Sequence, residues 1–352
     1  MHERWHGDNA ARPLDGVLDR EAAIAARDRL DELLKPAGSL GALEPLIERW
    51  ALITGAPPPE RVRAGVLVCA GDHGHVRHGT SLYDSTVSAM VAAAAARGET
   101  AVAVLCASGG HELLLADVGL VGATPPGVRD VKVAEGTADM TAGPALTSEQ
   151  VDAAIATGAQ LATELAGLGV GCLVLGEIGM GNTATTAALT CMLTGADPEL
   201  TVGRGAGLDA AGLERKRTAV RATLTRHGAR LAPRDALAAV GGLELAALTG
   251  AVTAMRATRL PVILDGYAAT AAALAAVRLE ATAGERLIAG HRSAEPGHDI
   301  LLGELGLEPL VDLRMRLGEA SGALVALPLI EAAGILHRRM GTFAESGVAR
   351  AH

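Results

Sequence analysis

The chain has 352 residues and a formal net charge of −9, and it is 49% hydrophobic but only 1% aromatic. Such a core must be packed from Ala, Leu and Val, as helix-rich α/β proteins allow, and the length suits about two domains. Acidic and basic residues are interspersed, with no basic stripe and no aromatic platform, which excludes nucleic acid as the main partner.

The apolar runs fall short of the roughly 20 uninterrupted residues that cross a bilayer. Residues 260–279 hold Asp265, and residues 323–336 hold Pro328 and Glu331. Met1 to Arg12 is polar and unlike a signal peptide. The expectation is a cytoplasmic protein with no membrane partner. Cys69, Cys106, Cys172 and Cys191 lie in apolar runs without C-x-x-C spacing and read as free, buried thiols.

In chain order, Ile24, Leu30, Leu33 and Leu34 form an apolar stripe that predicts a helix over 20–35. Lys35-Pro36-Ala37-Gly38-Ser39-Leu40-Gly41 breaks it, and a helix resumes over 42–53. Residues 54–60, with Pro57-Pro58-Pro59, read as a linker. A buried strand over 64–69 runs into Ala70-Gly71-Asp72-His73-Gly74, and a helix follows over 85–97. Residues 113–118 read as a strand, 120–147 as loop and 147–168 as helix.

Cys172-Leu173-Val174-Leu175 then predicts a strand that feeds Gly176-Glu177-Ile178-Gly179-Met180-Gly181-Asn182-Thr183 and a new helix. This Gly-x-x-Gly-x-Gly order is not the dinucleotide fingerprint, and no Lys follows to make a Walker A loop. Strand, glycine turn and helix start fit an anion site, where helical N–H groups point at a phosphate; they equally fit a plain tight turn. A charged helix ends near Arg226, another helix spans 243–258, and a strand over 261–264 ends at Asp265. The Ala-rich helix to Leu279, a short strand over 286–289 and a mostly helical tail over 305–336 complete the pattern. Alternating strands and helices imply a mainly parallel sheet, with ligands beyond its carboxyl edge.

Among groups able to do chemistry, Asp72, His73, His75 and His78 share one loop without metal-ligand spacing, so no metal is expected. There is no G-x-S-x-G, and the cysteines lack an activating setting. Glu319 stands in Arg316-Leu317-Gly318-Glu319-Ala320-Ser321-Gly322, between small residues that let a ligand approach. Desolvation would raise its pKa and suit a general base; an acid at a helix start, stabilised by the dipole, is the other reading. Lys216 and Arg316 are either phosphate partners of the glycine loop or solvated surface charges.

Five motifs in this order, residues 35–41, 70–74, 176–183, 291–298 (His291-Arg292-Ser293-Ala294-Glu295-Pro296-Gly297-His298) and 316–319, resemble the nicotinate-nucleotide–dimethylbenzimidazole phosphoribosyltransferase family. The resemblance covers about residues 20–335. It implies an α/β fold with a Rossmann-like parallel sheet flanked by helices, in a large domain over 61–312. A smaller helical domain would draw on both chain ends, 1–60 and 313–352. It also implies a cytoplasmic homodimer of cobalamin nucleotide-loop assembly that needs no cofactor. The phosphoribosyl group of nicotinate mononucleotide would pass to 5,6-dimethylbenzimidazole in a single displacement, giving α-ribazole 5'-phosphate and nicotinate. The leaving pyridinium departs as a neutral ring and needs no proton, while the attacking benzimidazole must lose one, so a single carboxylate base suffices.

Carried over residue by residue, Glu319 matches the family's catalytic Glu. Glu177, Gly179, Gly181, Asn182, Thr183, Gly205, Lys216 and Arg316 match the phosphoribosyl site, and Ser293 would meet the nicotinate carboxylate. Ser81, Tyr83, Ser85 and Met90 would line the base pocket. Asp84-Ser85 replaces the family's usual Pro-Gln, Ala206 a Thr and Ala320 a Gly. The first departure motivates an alternative acceptor, a purine or a phenolic. The third would set a methyl beside Glu319 and narrow the pocket. A non-catalytic nucleotide-binding regulator on the same scaffold is the alternative from another class.

Overall fold

The computed structural model describes residues 17–349, so the polar stretch Met1 to Arg12 and the last three residues lie outside it. The strands are β1 (Ala64–Gly71), β2 (Glu112–Gly119), β3 (Arg129–Asp130), β4 (Cys172–Ile178), β5 (Val262–Leu264) and β6 (Leu287–Ala289). They pair in parallel in the order β3-β2-β1-β4-β5-β6. The order reverses between β1 and β4. This is the topological switch point, where an open α/β sheet leaves a crevice beyond its carboxyl edge.

Both faces of the sheet are covered, so the strands read as continuous apolar runs with side chains alternating between two cores. On one face Leu67, Leu173, Leu175, Val262 and Leu264 pack under the helices Ser148–Gly167, Asn182–Thr194, Leu243–Met255 and Tyr267–Leu279. On the other, Val66, Val68, Val174 and Ile263 meet residues from both ends of the chain. Leu30 and Trp50 come from the helices Arg20–Glu32 and Leu43–Thr54, and Leu327 and Ile330 from Ser321–Arg339. The chain ends also bond directly: Arg29 Nε donates to the carbonyl of His337 at 2.8 Å.

A core with so few aromatic rings closes by bringing backbones together. Helices Ser148–Gly167 and Leu243–Met255 cross at Gly158 and Gly250. A Cβ on Gly158 would stand 1.7 Å from the carbonyl oxygen of Ala247, and one on Gly250 would stand 1.9 Å from that of Ile155.

Several expectations change. Residues 120–147 contain the two-residue edge strand β3, and helices Ala101–Gly109 and Pro233–Val240 were not foreseen. The apolar run Thr86–Gly109 has the length and composition of a membrane span. It is folded as two helices of 11 and 9 residues, Thr86–Ala96 and Ala101–Gly109, broken at Arg97-Gly98-Glu99 with Gly98 at φ +84°. Neither piece approaches the roughly 20 residues a bilayer requires. The tail is not helical throughout. After His298–Leu305, residues 306–320 run mostly without regular structure along the carboxyl edge, and the helix starts only at Ser321. Docking holds this path: Arg292 N donates to Val311 O at 2.8 Å, and Ala294 N donates to Met315 O at 2.9 Å.

The Gly158→Ala variant is expected to lower the melting temperature, because overpacking a closed contact costs about 1–3 kcal/mol. Thermal unfolding followed by circular dichroism measures it; an unchanged midpoint would mean that the two helices part at no cost.

Candidate active site

Beyond the carboxyl ends of β1, β4, β5 and β6 lies a cavity of about 330 Å³, within the size range of small-ligand sites. Twelve of the residues singled out from the sequence line it: Glu177, Gly179, Gly181, Asn182, Thr183, Gly205, Lys216, Ser293, Arg316, Glu319, Ser81 and Tyr83. Ser85 and Met90 do not. The helix Thr86–Ala96 turns Val87 and Val91, four residues apart, toward the cavity. Met90 falls off that face and is 66% exposed, and Ser85 sits in the turn before the helix. The Asp84 carboxylate is spent locally, accepting from Thr86 N at 2.9 Å and from the Thr86 hydroxyl. The methyl of Ala320 lies in the core between sheet and tail helix, so it does not narrow the cavity.

On one side stands the glycine loop. Gly181, at φ +93°, caps the helix Asn182–Thr194, whose first turn opens on the cavity. The glycines are required by packing behind the loop as well as by any ligand in front. A Cβ on Gly179 would meet Gly71 O at 2.5 Å, and one on Gly181 would meet Val76 at 2.5 Å and His75 at 3.1 Å. Lys216 is fully buried; its Nζ donates to Thr183 Oγ1 at 2.8 Å and to Gly203 O at 2.9 Å. Burial brings its pKa down to about 8, against the pull of Glu295. An ammonium has three donors, so one remains for an anion. Gly205 N is committed to Glu295 Oε1 at 2.8 Å, and Gly205 O accepts from Arg316 Nη1. Gly205 therefore shapes the site and anchors Arg316. Glu295 went unrecognised within the 291–298 motif, as did Arg204 at the rim.

Three buried acids gather at the same edge of the sheet. Glu319 is 8% exposed and stands at φ +59°, with its N–H donating to Glu177 O at 3.2 Å. Its Oε2 is buried with no hydrogen-bond partner. Burial raises its pKa, opposed by the nearby Thr100 hydroxyl and assisted by Asp265. The helix-dipole reading would have lowered it; Glu319 precedes the Ala320 cap of Ser321–Arg339 and burial prevails. Glu177 is raised well above the ordinary range by burial and by Asp265, Glu244 and Glu319, and its Oε1 accepts from Asn182 Nδ2 at 3.1 Å. Asp265 accepts from Ala323 N at 3.0 Å at the start of the tail helix, yet burial pushes it up to about 7. Ser293 Oγ accepts from Glu295 N at 3.3 Å, which leaves its own O–H to donate.

The fold and the cavity define an α/β protein of the Rossmann type, with a glycine loop at a helix start and a buried carboxylate lining one cavity. A phosphoribosyltransferase family model matches residues 16–348. The nicotinate-nucleotide–dimethylbenzimidazole phosphoribosyltransferase of Variovorax paradoxus is 43% identical over 334 residues, 94% of this chain and 95% of that protein. The enzyme of the same name from Thermus thermophilus is 42% identical over 336 residues, 95% of this chain and all of that one. A crystal structure of the Thermus thermophilus enzyme superposes with a TM-score of 0.88 at 40% identity, covering 95% of this chain and 100% of that one. The chain belongs to the nicotinate-nucleotide–dimethylbenzimidazole phosphoribosyltransferase family.

The buried Asp265 has a consequence for stability. An unfolded Asp ionises near 3.9, and the native one near 7. Between these values the native state holds a proton that the unfolded state has lost, so stability falls as pH rises through this window. Asp265→Asn keeps an acceptor for Ala323 N and is expected to reduce the fall in melting temperature between pH 4 and pH 7. An unchanged pH dependence would count against a protonated Asp265.

Proposed function

We infer that the chain transfers the phosphoribosyl group of nicotinate mononucleotide to 5,6-dimethylbenzimidazole, releasing nicotinate and α-ribazole 5'-phosphate. One observation carries this: the glycine loop, Lys216, Ser293 and Glu319 line a single cavity, with the buried Glu319 Oε2 left without a hydrogen-bond partner among the described residues. In this reading the ribose phosphate sits against the first turn of Asn182–Thr194, with the remaining donor of Lys216 and the exposed guanidinium of Arg316. The free O–H of Ser293 meets the nicotinate carboxylate. Ser81, Tyr83, Val87 and Val91 supply a partly apolar wall for the acceptor ring.

The chemistry then needs one base. As the benzimidazole nitrogen attacks C1′, nicotinate leaves from the opposite face and keeps the electrons of the broken bond. The second ring nitrogen carries the surplus proton, which Glu319 removes. A carboxylate raised by burial is a better base than an exposed one, and help of this kind is worth roughly 10²–10⁴ in rate. Holding both partners in line supplies much of the rest. The motive for a different acceptor was Asp84-Ser85, and neither residue reaches the cavity wall, which favours the benzimidazole.

The homodimer is part of the same proposal, supported by half-exposed Leu82 and Tyr83 and by exposed Met90 beside the cavity. So is the division into a large domain over 61–312 and a small helical one from both ends, supported by the packing of Ser321–Arg339 on Leu43–Thr54. The cytoplasmic setting draws support from the four free cysteines.

Glu319→Gln, supplied with nicotinate mononucleotide and dimethylbenzimidazole, is expected to form ribazole phosphate roughly 10²–10⁴ times more slowly, with donor affinity retained. Product formation read by mass spectrometry at the wild-type rate would remove Glu319 from this role.

A further inference from the structure

Beneath the glycine loop runs a buried chain of polar side chains that the transfer chemistry does not use. Glu244 is the only charged residue in the helix Leu243–Met255, and it is fully buried. Its Oε1 lies 3.1 Å from His73 Nε2, in an ion pair closed to solvent on both sides. From His73 the chain continues through Thr185 Oγ1, 2.9 Å from His73 Nδ1 and 3.0 Å from His75 Nε2. It ends at Thr80 Oγ1, 2.8 Å from His75 Nδ1. Thr80 lines the cavity and leads directly into Ser81 and Tyr83 on the acceptor side.

The donors run in one direction. Thr80 Oγ1 donates to the carbonyl of His75 at 3.2 Å, so it accepts from His75 Nδ1–H. His75 Nε2 is then an acceptor for the Thr185 hydroxyl, and Thr185 accepts from His73 Nδ1–H. The other nitrogen of His73 faces the Glu244 carboxylate. Burial alone would lower His73, but the Glu244 carboxylate holds it above the ordinary histidine value, while burial keeps His75 neutral. Two imidazoles and two hydroxyls thus link the core acid to the cavity wall.

The two ends of the chain are not held equally. The phosphate side has its own ties, Asn182 Nδ2 to Glu177 at 3.1 Å and Lys216 Nζ to Thr183 at 2.8 Å, and Met180 N to Ser88 Oγ at 3.0 Å joins it to the helix Thr86–Ala96. The segment at 79–84 has Arg215 Nε on Gly79 O at 3.4 Å and a local bond from Tyr83 N to Ser81 Oγ at 3.4 Å. Its Leu82 and Tyr83 are half exposed. Through Thr80 and His75 the buried relay ties this segment to the helix Asn182–Thr194.

The geometry points to Glu244, His73, Thr185 and His75 as positioning residues that fix the acceptor-side wall through Thr80. This rests on the transferase reading for the identity of the acceptor. Thr185 lies outside the cavity, and Val has nearly its shape, so Thr185→Val interrupts the relay at its middle and leaves both ends in place. Leaving two buried imidazole nitrogens without partners is costly. The expected result is about a tenfold weaker dissociation constant for dimethylbenzimidazole, equivalent to about 1.4 kcal/mol, with that for nicotinate mononucleotide within about twofold. Thr185→Ser, which keeps the hydroxyl, is expected to restore acceptor binding.

Calorimetric titration of each substrate into wild type and both variants reads this split without requiring turnover. Absence of turnover in the wild type would therefore count against the transferase reading alone. Unchanged acceptor affinity in Thr185→Val, equal weakening of both substrates, or failure of Thr185→Ser to restore binding would overturn the positioning role. If Thr185→Val does not fold, His75→Leu, also outside the cavity, breaks the link to Thr80 and is read in the same way, with the same outcomes deciding.

Discussion

The site depends on one backbone contact. At the carboxyl end of β4 the tail crosses the sheet so closely that a Cβ on Gly176 would stand 2.2 Å from Ala320 N. The N–H of Glu319 closes the junction on Glu177 O. To make this crossing, Glu319 and Ala320 both take left-handed backbone, at φ +59° and +64°, which costs a non-glycine residue roughly 1–2 kcal/mol. The tail helix beyond offsets that strain. Ala323 N bonds Asp265, Ser321 Oγ donates to Gly318 O at 2.7 Å, and Leu324, Leu327 and Ile330 bury against the sheet. A glycine in one strand thereby sets a distant acid of the tail beside the loop that follows that strand.

The same closeness concentrates charge. Glu177, Asp265 and Glu319 are brought together with little water; Asp265 raises the pKa of both glutamates, and Glu319 raises that of Glu177. An enclosed group of acids disfavours full ionisation, so the fold loses stability as the pH rises through their titration. The cationic side is equally enclosed: Lys216 is buried beside Glu295, and its pKa is lowered. Buried acids and a buried lysine thus share one crevice at the switch point of the sheet.

Much of this was legible in the sequence, for identifiable reasons. Continuous apolar runs ending in Asp72, Glu177 and Asp265 marked the strands and their working edge, because a doubly covered parallel sheet admits polar residues only at its ends. Gly176 to Thr183 marked the loop, and small neighbours marked Glu319. What escaped was set by tertiary contact. Residues 306–320 carry no local signal for the path that docking imposes. Met90 and Ser85 were placed by motif, whereas the helix phase decides which side chains face inward. Asp72 and His73 share a loop in the sequence but part in the fold: Asp72 accepts from Val121 N, while His73 packs beneath Gly179 and Gly181. Glu244 had a signal that passed unused: a lone charge in an apolar helix must have a buried partner.

The most direct measurement is a crystal structure of the protein with its product, α-ribazole 5'-phosphate. The phosphate is expected against Gly179 to Thr183 and Lys216, with the outer ring nitrogen of the base within hydrogen-bond distance of the Glu319 carboxylate. A base bound away from Glu319, or a phosphate held elsewhere than at the glycine loop, would contradict the account.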